Sequence, residues 1–464
     1  MNEALEEMIS TFIWKSDPHS AVLGLIHAAG DENMGHLLLD ASEKFVELFK
    51  HEYDLVIVDE IFTIHGMTIT KILKEISGIP YIVFTTSNVG AESNVAEFSM
   101  GHTPVIDATH GTILPSGHGD IYDPKIFWLR VYNFLEAFGE YAMMYNYSNL
   151  NTLHCIILRN SLFLDPLVVK YQNPGKLMTF SFSTHEINRM AEMNLRDSLD
   201  RLGRIAPIAE DFRGIGSHCK KAEKLSKEFS DFAEDSTSKG TIYIAFGSIV
   251  NFDRCPQFVF DAFFKALNQF PDYRIIFSMK KLKSRSIPKL NSHVKLVHWA
   301  PQLAILNHKK TVLFMSHGGL KSYKEALCTK VPVVFLPILA EQGSIARMSM
   351  KMGIGTSLSK YTLTAEKIVE AFNRVLHDKS YKSNMEKINY FFLDRIITSL
   401  DEGAWYVNKI IKRSDKLGKR SASLPNNDRS LLFFRRKGIS FNSFNFFGFD
   451  WIIAFVFFSF ILSK

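Results

Sequence analysis

Short apolar runs alternate with longer mixed stretches through residues 239–353. Thr241–Phe246 (TIYIAF), Tyr273–Met279, His293–His298, Thr311–Ser316 and Val331–Leu336 are rich in β-branched or aromatic side chains. Runs this short and this apolar predict strands buried on both faces. The stretches between them, 255–270, 302–308, 320–329 and 342–352, predict helices, and 365–377 and 379–412 continue in helical pattern. Strand and helix in regular alternation predict a doubly wound parallel sheet.

The first half carries a weaker version of the same pattern. Tyr53–Asp59 (YDLVIVD) predicts a buried strand ending in a carboxylate, 63–76 a helix, Gly78-Ile79-Pro80 a turn and Tyr81–Thr85 the next strand. Together they make a βαβ unit. Pro104, Pro115, Gly117 and Gly119 mark loops, 125–147 is aromatic-rich and helical in pattern, and Ile156–Arg159 suits a short strand. Residues 160–235 show little periodicity, with Lys220–Lys227 predicted as an exposed helix. The expected organisation is two α/β halves at 1–235 and 236–395, a helix at 396–412 packing back, a polar linker at 413–445 and an apolar segment at 446–463.

Composition changes this picture little. A chain of 464 residues that is 46% hydrophobic can bury more than one core. A net charge of +6 with scattered Lys and Arg does not favour nucleic acid as a partner. Cys155, Cys219, Cys255 and Cys328 are far apart and form no CxxC pair, so neither a metal site nor a disulfide framework is expected. The acidic start MNEALEEMISTFIWK does not read as a signal peptide. At the other end Trp451–Leu462 (WIIAFVFFSFIL) is uninterrupted apolar sequence, shorter than the ~20 residues of a full span. It reads as a membrane anchor or as a tail docked elsewhere or on the membrane surface. Arg435-Arg436-Lys437 upstream would suit an anionic face in either case.

Candidate chemistry concentrates at strand ends. Ser316-His317-Gly318-Gly319-Leu320-Lys321-Ser322 falls where a strand meets a helix. Open α/β sheets bind ligands at the carboxyl ends of their strands. Glycines let backbone N–H groups approach an anion there, and the helix terminus adds partial positive charge. His317 and Ser322 can each donate to a phosphate oxygen. Upstream, Trp299 offers a flat face for a base, and Gln302 offers paired donor and acceptor groups. Glu325 is placed to accept from ribose hydroxyls. Glu341 and Gln342, after the next strand, can grip sugar hydroxyls.

This order, W-x-P-Q, then H-x-G-x-x-S-x-x-E, then a proline and an acidic residue followed by Gln, resembles the signature of the UDP-glycosyltransferases of glycosyltransferase family 1. The resemblance is specific over 239–353 and looser over 50–238. It implies a GT-B fold, two facing Rossmann-like domains of which the C-terminal one holds a UDP-sugar and the N-terminal one a small lipophilic acceptor. By position, Trp299 and Gln302 would meet uracil, and Glu325 the ribose. Ser248, His317, the Gly319 amide and Ser322 would meet the diphosphate, and Glu341 and Gln342 the sugar. Three positions depart from the family pattern: Lys321 and Ile345 stand in place of Asn, and Lys330 in place of Gly. Lys321 could still meet phosphate as a point charge, the turn at Lys330 is expected to shift, and Ile345 removes a polar group near the sugar.

The resemblance further implies inverting transfer of a hexosyl or glucuronosyl group without a metal, since the helix end and His317 would neutralise the leaving diphosphate. The family's general base is a His in the first βα loop, oriented by an Asp that Asp59 matches. His19, His27 and His36 follow no recognisable buried strand, so the start of the N-terminal domain is expected to be missing. That leaves three readings: a transferase, a catalytically silent UDP-sugar-binding or partner-modulating protein, and a membrane-tethered structural fragment. The family's usual setting is the endoplasmic reticulum membrane, with room for oligomers of related transferases.

Overall fold

The computed structural model describes residues 10–15, 37, 40–59, 64–86, 126–128, 131, 135, 187, 191–197, 211–339, 341–417 and 449–462. Helix α1 (Ser42–Leu48) precedes strand β1 (Val56–Asp59), helix α2 (Ile64–Ser77) and strand β2 (Tyr81–Thr85). Strands β3 (Met193–Arg196) and β4 (Phe212–Gly214) complete a parallel sheet in the order β1-β2-β3-β4. The predicted helix at 125–147 and strand at 156–159 lie outside the described residues, apart from the isolated positions named above.

The second sheet follows helix α3 (Lys227–Ala233). In chain order it comprises β5 (Thr241–Ala245), α4 (Gln257–Leu267), β6 (Arg274–Ser278), β7 (Val294–Val297), α5 (Gln302–Leu306), β8 (Thr311–Ser316), α6 (Leu320–Thr329), β9 (Val333–Phe335), α7 (Gln342–Lys351) and β10 (Gly355–Ser357). All six strands are parallel, in the order β10-β9-β8-β5-β6-β7. The order reverses between β5 and β8, and it is outside this crossover that an open α/β sheet leaves a crevice. Helices α4 and α8 (Ala365–His377) cover one face of the sheet, where Phe263, Phe277 and Phe372 are buried. The other face meets α6, α7 and α9 (Ser380–Leu393), with Tyr323, Ile345 and Phe392 buried. Ile345, whose family counterpart is polar, is therefore a core residue.

Several expectations need correction. Lys220–Lys227 is not helical: the chain is irregular up to Ser226, and the helix begins at Lys227. The helical stretch 379–412 divides at 394–398, and the helix set apart at 396–412 is α10 (Ser399–Leu417). Thr398 explains the restart, because its Oγ1 accepts the Asp401 amide at 3.1 Å while its hydroxyl donates to Asp401 Oδ2 at 2.6 Å. Cys219 and Cys328 are not free thiols but a disulfide, while Cys255 is free and buried and Cys155 lies outside the described residues. Lys330 itself takes the left-handed conformation (φ 59°, ψ 35°), and its amide caps α6 on the Ala326 and Leu327 carbonyls.

Contacts also join the two sheets. Ile410 of α10 packs with Ile82, Met193 and Leu195 of the first sheet. Arg213 donates to the Tyr406 hydroxyl at 2.9 Å. In the opposite sense, Ile13 and Trp14 near the chain start are buried in the core of the second sheet, although the boundaries drawn from sequence assign them to the first half. Trp14 donates to the Asn251 carbonyl at 3.1 Å, and the buried Lys360 ammonium bonds both the Ile13 and Ile338 carbonyls at 2.6 Å. The last helix, α11 (Phe449–Leu462), has 14 residues, and among the described residues no helix is long and apolar enough to cross a membrane.

Candidate nucleotide-sugar site

The loops after β5, β7, β8 and β9 carry the site. Strand β8 delivers Ser316 to the sheet edge, and the chain then turns through Gly318 at φ +94° into α6. That φ favours glycine, and a Cβ there would also come within 3.2 Å of the Gln342 carbonyl and the Phe335 ring. The His317 imidazole lies between two further glycines. A Cβ at Gly319 would sit 2.7 Å from His317 Nε2, and one at Gly247 3.2 Å from the same ring. The glycines thus make room for the ring as well as for an approaching anion. Burial lowers the His317 pKa to about 4, so the ring is neutral at pH 7 and serves as a hydrogen-bonding group rather than a cation.

The Gln302 side chain reaches from the start of α5 to the first turns of α6. Its Nε2 donates to Glu325 Oε2 at 2.6 Å and to Ser322 Oγ at 3.0 Å. Three residues that were separate inferences from spacing therefore form one connected group. Desolvation raises the Glu325 pKa, against lowering contributions from the Gln302 bond and the Lys220 charge. Trp299 is 79% exposed, an uncovered aromatic face beside this group. Ser248 is exposed in the turn after β5, with its hydroxyl at the same sheet end.

Glu341 and Gln342 lie at the end of the loop after β9, where α7 begins. Both are buried. Glu341 Oε1 accepts the Leu320 amide at 3.3 Å, so its carboxylate caps the N-terminus of α6, and desolvation raises its pKa. Gln342 Oε1 accepts the Ile338 and Leu339 amides at 2.8 and 3.0 Å, closing the loop after β9.

Sequence reasoning missed Asp197, at the carboxyl end of β3. Its carboxylate pairs with both Lys321 and Lys324 of α6, joining the first sheet to the helix that carries Ser322 and Glu325. Lys324 and Asp197 are buried, whereas Lys321 is largely exposed. Desolvation lowers the Lys324 pKa, and the pairing with Asp197 counteracts it. No motif announces Asp197, because its partners lie more than a hundred residues away. Asp59 ends β1 as predicted and accepts the Thr86 hydroxyl at 2.8 Å. His19, His27 and His36 lie outside the described residues.

Two parallel-sheet units, the second crossing over beneath a glycine-flanked helix end with an aromatic face and a carboxylate beside it, have the GT-B architecture. The chain belongs to the UDP-glucoronosyl and UDP-glucosyl transferase family, whose model matches residues 141–421. It is 30% identical over 193 residues to a UDP-glucuronosyltransferase of Pleuronectes platessa, covering 42% of this chain and 40% of that protein. It is 26% identical to UDP-glucuronosyltransferase 1A6 of Oryctolagus cuniculus over 76% of this chain and 61% of that protein. The chain thus spans less than two thirds of the length of these relatives. Among solved structures, the UDP complex of UDP-glucose: anthocyanidin 3-O-glucosyltransferase shares the fold with a TM-score of 0.52 at 15% identity, covering 84% of this chain and 81% of that one. The glycotransferase of kitacinnamycin gives 0.51 at 16%, covering 82% of each chain.

Proposed function

We propose that this chain binds a UDP-sugar at the head of α6 and transfers its hexosyl or glucuronosyl group, with inversion, to a hydroxyl of a small lipophilic acceptor. The observation that carries the reading is the hydrogen-bonded set Gln302, Ser322 and Glu325 at the sheet crossover. Trp299 and Gln302 hold uracil and Glu325 the ribose. Ser248, Ser322, His317 and the Gly319 amide hold the diphosphate. Neutral His317 donates a hydrogen bond to the leaving UDP, and Asp59 orients a general base on the acceptor side. The setting is a membrane, that of the endoplasmic reticulum, reached through α11. Sequence relatives with UDP-glucuronosyltransferase names support the donor class.

A second reading, UDP binding without turnover, is favoured by the burial of Glu341 and Gln342, whose Oε1 atoms each accept backbone amides. Calorimetry with UDP, followed by turnover of UDP-glucose and UDP-glucuronic acid with a small phenol, separates the two. Binding with turnover supports the transferase, binding alone supports the silent reading, and failure to bind UDP sinks both.

A further inference from the structure

We propose that the turn joining α9 to α10 is a membrane-contact surface that lies against an anionic lipid bilayer. The inference goes beyond glycosyl transfer and does not depend on the donor site. Ile396 at the tip of this turn is fully exposed, and Phe391, Ile397 and Leu400 around it are each exposed by half or more. Tyr390 and Trp405 flank the tip, also exposed. Five large apolar side chains exposed within the eleven residues 390–400, one of them completely, mark a place where another phase or partner sits. Aromatic side chains with a polar edge beside an aliphatic tip are the composition favoured at a membrane–water boundary.

The turn holds these side chains outward. Arg395 pairs with Glu402, Thr398 and Asp401 cap each other, and Ser399 Oγ donates to the Ser217 carbonyl at 2.9 Å. Two of the acids in the turn are thereby engaged. The charges that continue along α10 are mainly basic. Lys409 Nζ lies 4.8 Å from the Trp405 ring centre, and Lys412 is exposed on the same side. Between 418 and 448 the sequence carries Lys419, Arg420, Arg429, Arg435, Arg436 and Lys437 against Asp428 alone. Such a run is attracted to anionic headgroups.

Helix α11 indicates what sits on the turn. Ile452, Ile453, Phe455, Val456, Phe457 and Phe458 are consecutive enough to cover every face of that helix, and all are exposed. A surface groove covers one apolar stripe, whereas an exposed helix that is apolar all round needs cover on every side, which a bilayer supplies. Residues 418–448 tether it to α10, so a bilayer that takes α11 stands within reach of the turn, and even a weak contact is reinforced by the tether.

The test uses the full chain with Ile396→Cys carrying an environment-sensitive fluorophore, and Glu370→Cys on the opposite layer as control. Vesicles of phosphatidylcholine with phosphatidylserine, with and without spin-labelled acyl chains, supply the surface. The expected result is a blue shift and loss of emission by quenching at position 396 but not at 370. It should weaken when phosphatidylserine is omitted and be abolished by adding Ile397→Asp and Leu400→Asp. The proposal is overturned if the protein does not join the vesicles, if it joins them while the 396 label stays in water, or if both labels are quenched alike. A shift at 396 that appears without vesicles and grows with protein concentration also overturns it, in favour of self-association.

Discussion

Glu325 sits where burial works against its charge. Its carboxylate is desolvated, so ionisation is resisted and its pKa lies above the ordinary 4.5. A carboxyl with a raised folded pKa stabilises the fold below its unfolded value and loses that contribution as pH rises through the folded one. Glu325→Gln should therefore raise the melting temperature at pH 7 and have no such effect well below pH 4.5, while weakening UDP binding roughly tenfold through loss of the charged ribose acceptor. Melting curves across pH and calorimetry read the two effects separately. His317 has the opposite linkage. With its pKa depressed from 6.5 to about 4, its contribution is complete above pH 6.5 and declines as pH falls toward 4. His317→Asn should flatten the slope of stability in that window, and an unchanged slope would remove the desolvated imidazole as its source.

The same economy appears in whole elements. Helix α6 has Gly319 at its N-terminus and a left-handed Lys330 at its other end. A non-glycine residue there resists the conformation, and glycine relieves it at some entropic cost in the unfolded chain. Lys330→Gly should stabilise the protein by about 0.5–1 kcal/mol without affecting UDP, since the Lys382 bond to the residue 330 carbonyl does not need the side chain. At the N-terminus the opposite substitution is harmful. Gly319→Ala would put a methyl group 2.7 Å from His317 Nε2, displacing the ring. UDP affinity should then fall by roughly tenfold or more while uridine binding holds, as only a phosphate donor moves. Equal loss of both ligands would show that the helix start itself had shifted.

For the whole molecule, the unit of interest is the tie between the two sheets. The buried pairing of Asp197 with Lys324 spans them, and removing one partner leaves the other charge buried and uncompensated. Asp197→Ala should destabilise by about 3 kcal/mol or more, measured by denaturant unfolding. The Cys219–Cys328 bridge ties the connector after β4 to the end of α6 and closes a separation of 109 residues. Reducing it should cost about 2–5 kcal/mol, because the unfolded chain regains the freedom of that loop. If the melting temperature is insensitive to reductant under conditions where both thiols become titratable, the bridge is not a stabilising element.

The sequence by itself determined the alternation of elements in the second half and the strand ends at which Trp299, Gln302, His317, Ser322 and Glu325 fall. Both are local properties: a buried strand or amphipathic helix writes its period into neighbouring residues, and a parallel sheet sends each following loop to one edge. Tertiary structure alone decided what those residues touch. The bonds from Gln302 to Ser322 and Glu325, the pairing of Asp197 with Lys321 and Lys324, and the Cys219–Cys328 bridge join positions 20 to 127 residues apart. No spacing rule reaches across such distances. Strands β3, β4 and β10, of three or four residues, have too few positions to display a period of two and exist because neighbouring strands pair with them. Glu341 and Gln342 belong with this group: their types suit a sugar, but the packing around α6 and the loop after β9 set their hydrogen bonds.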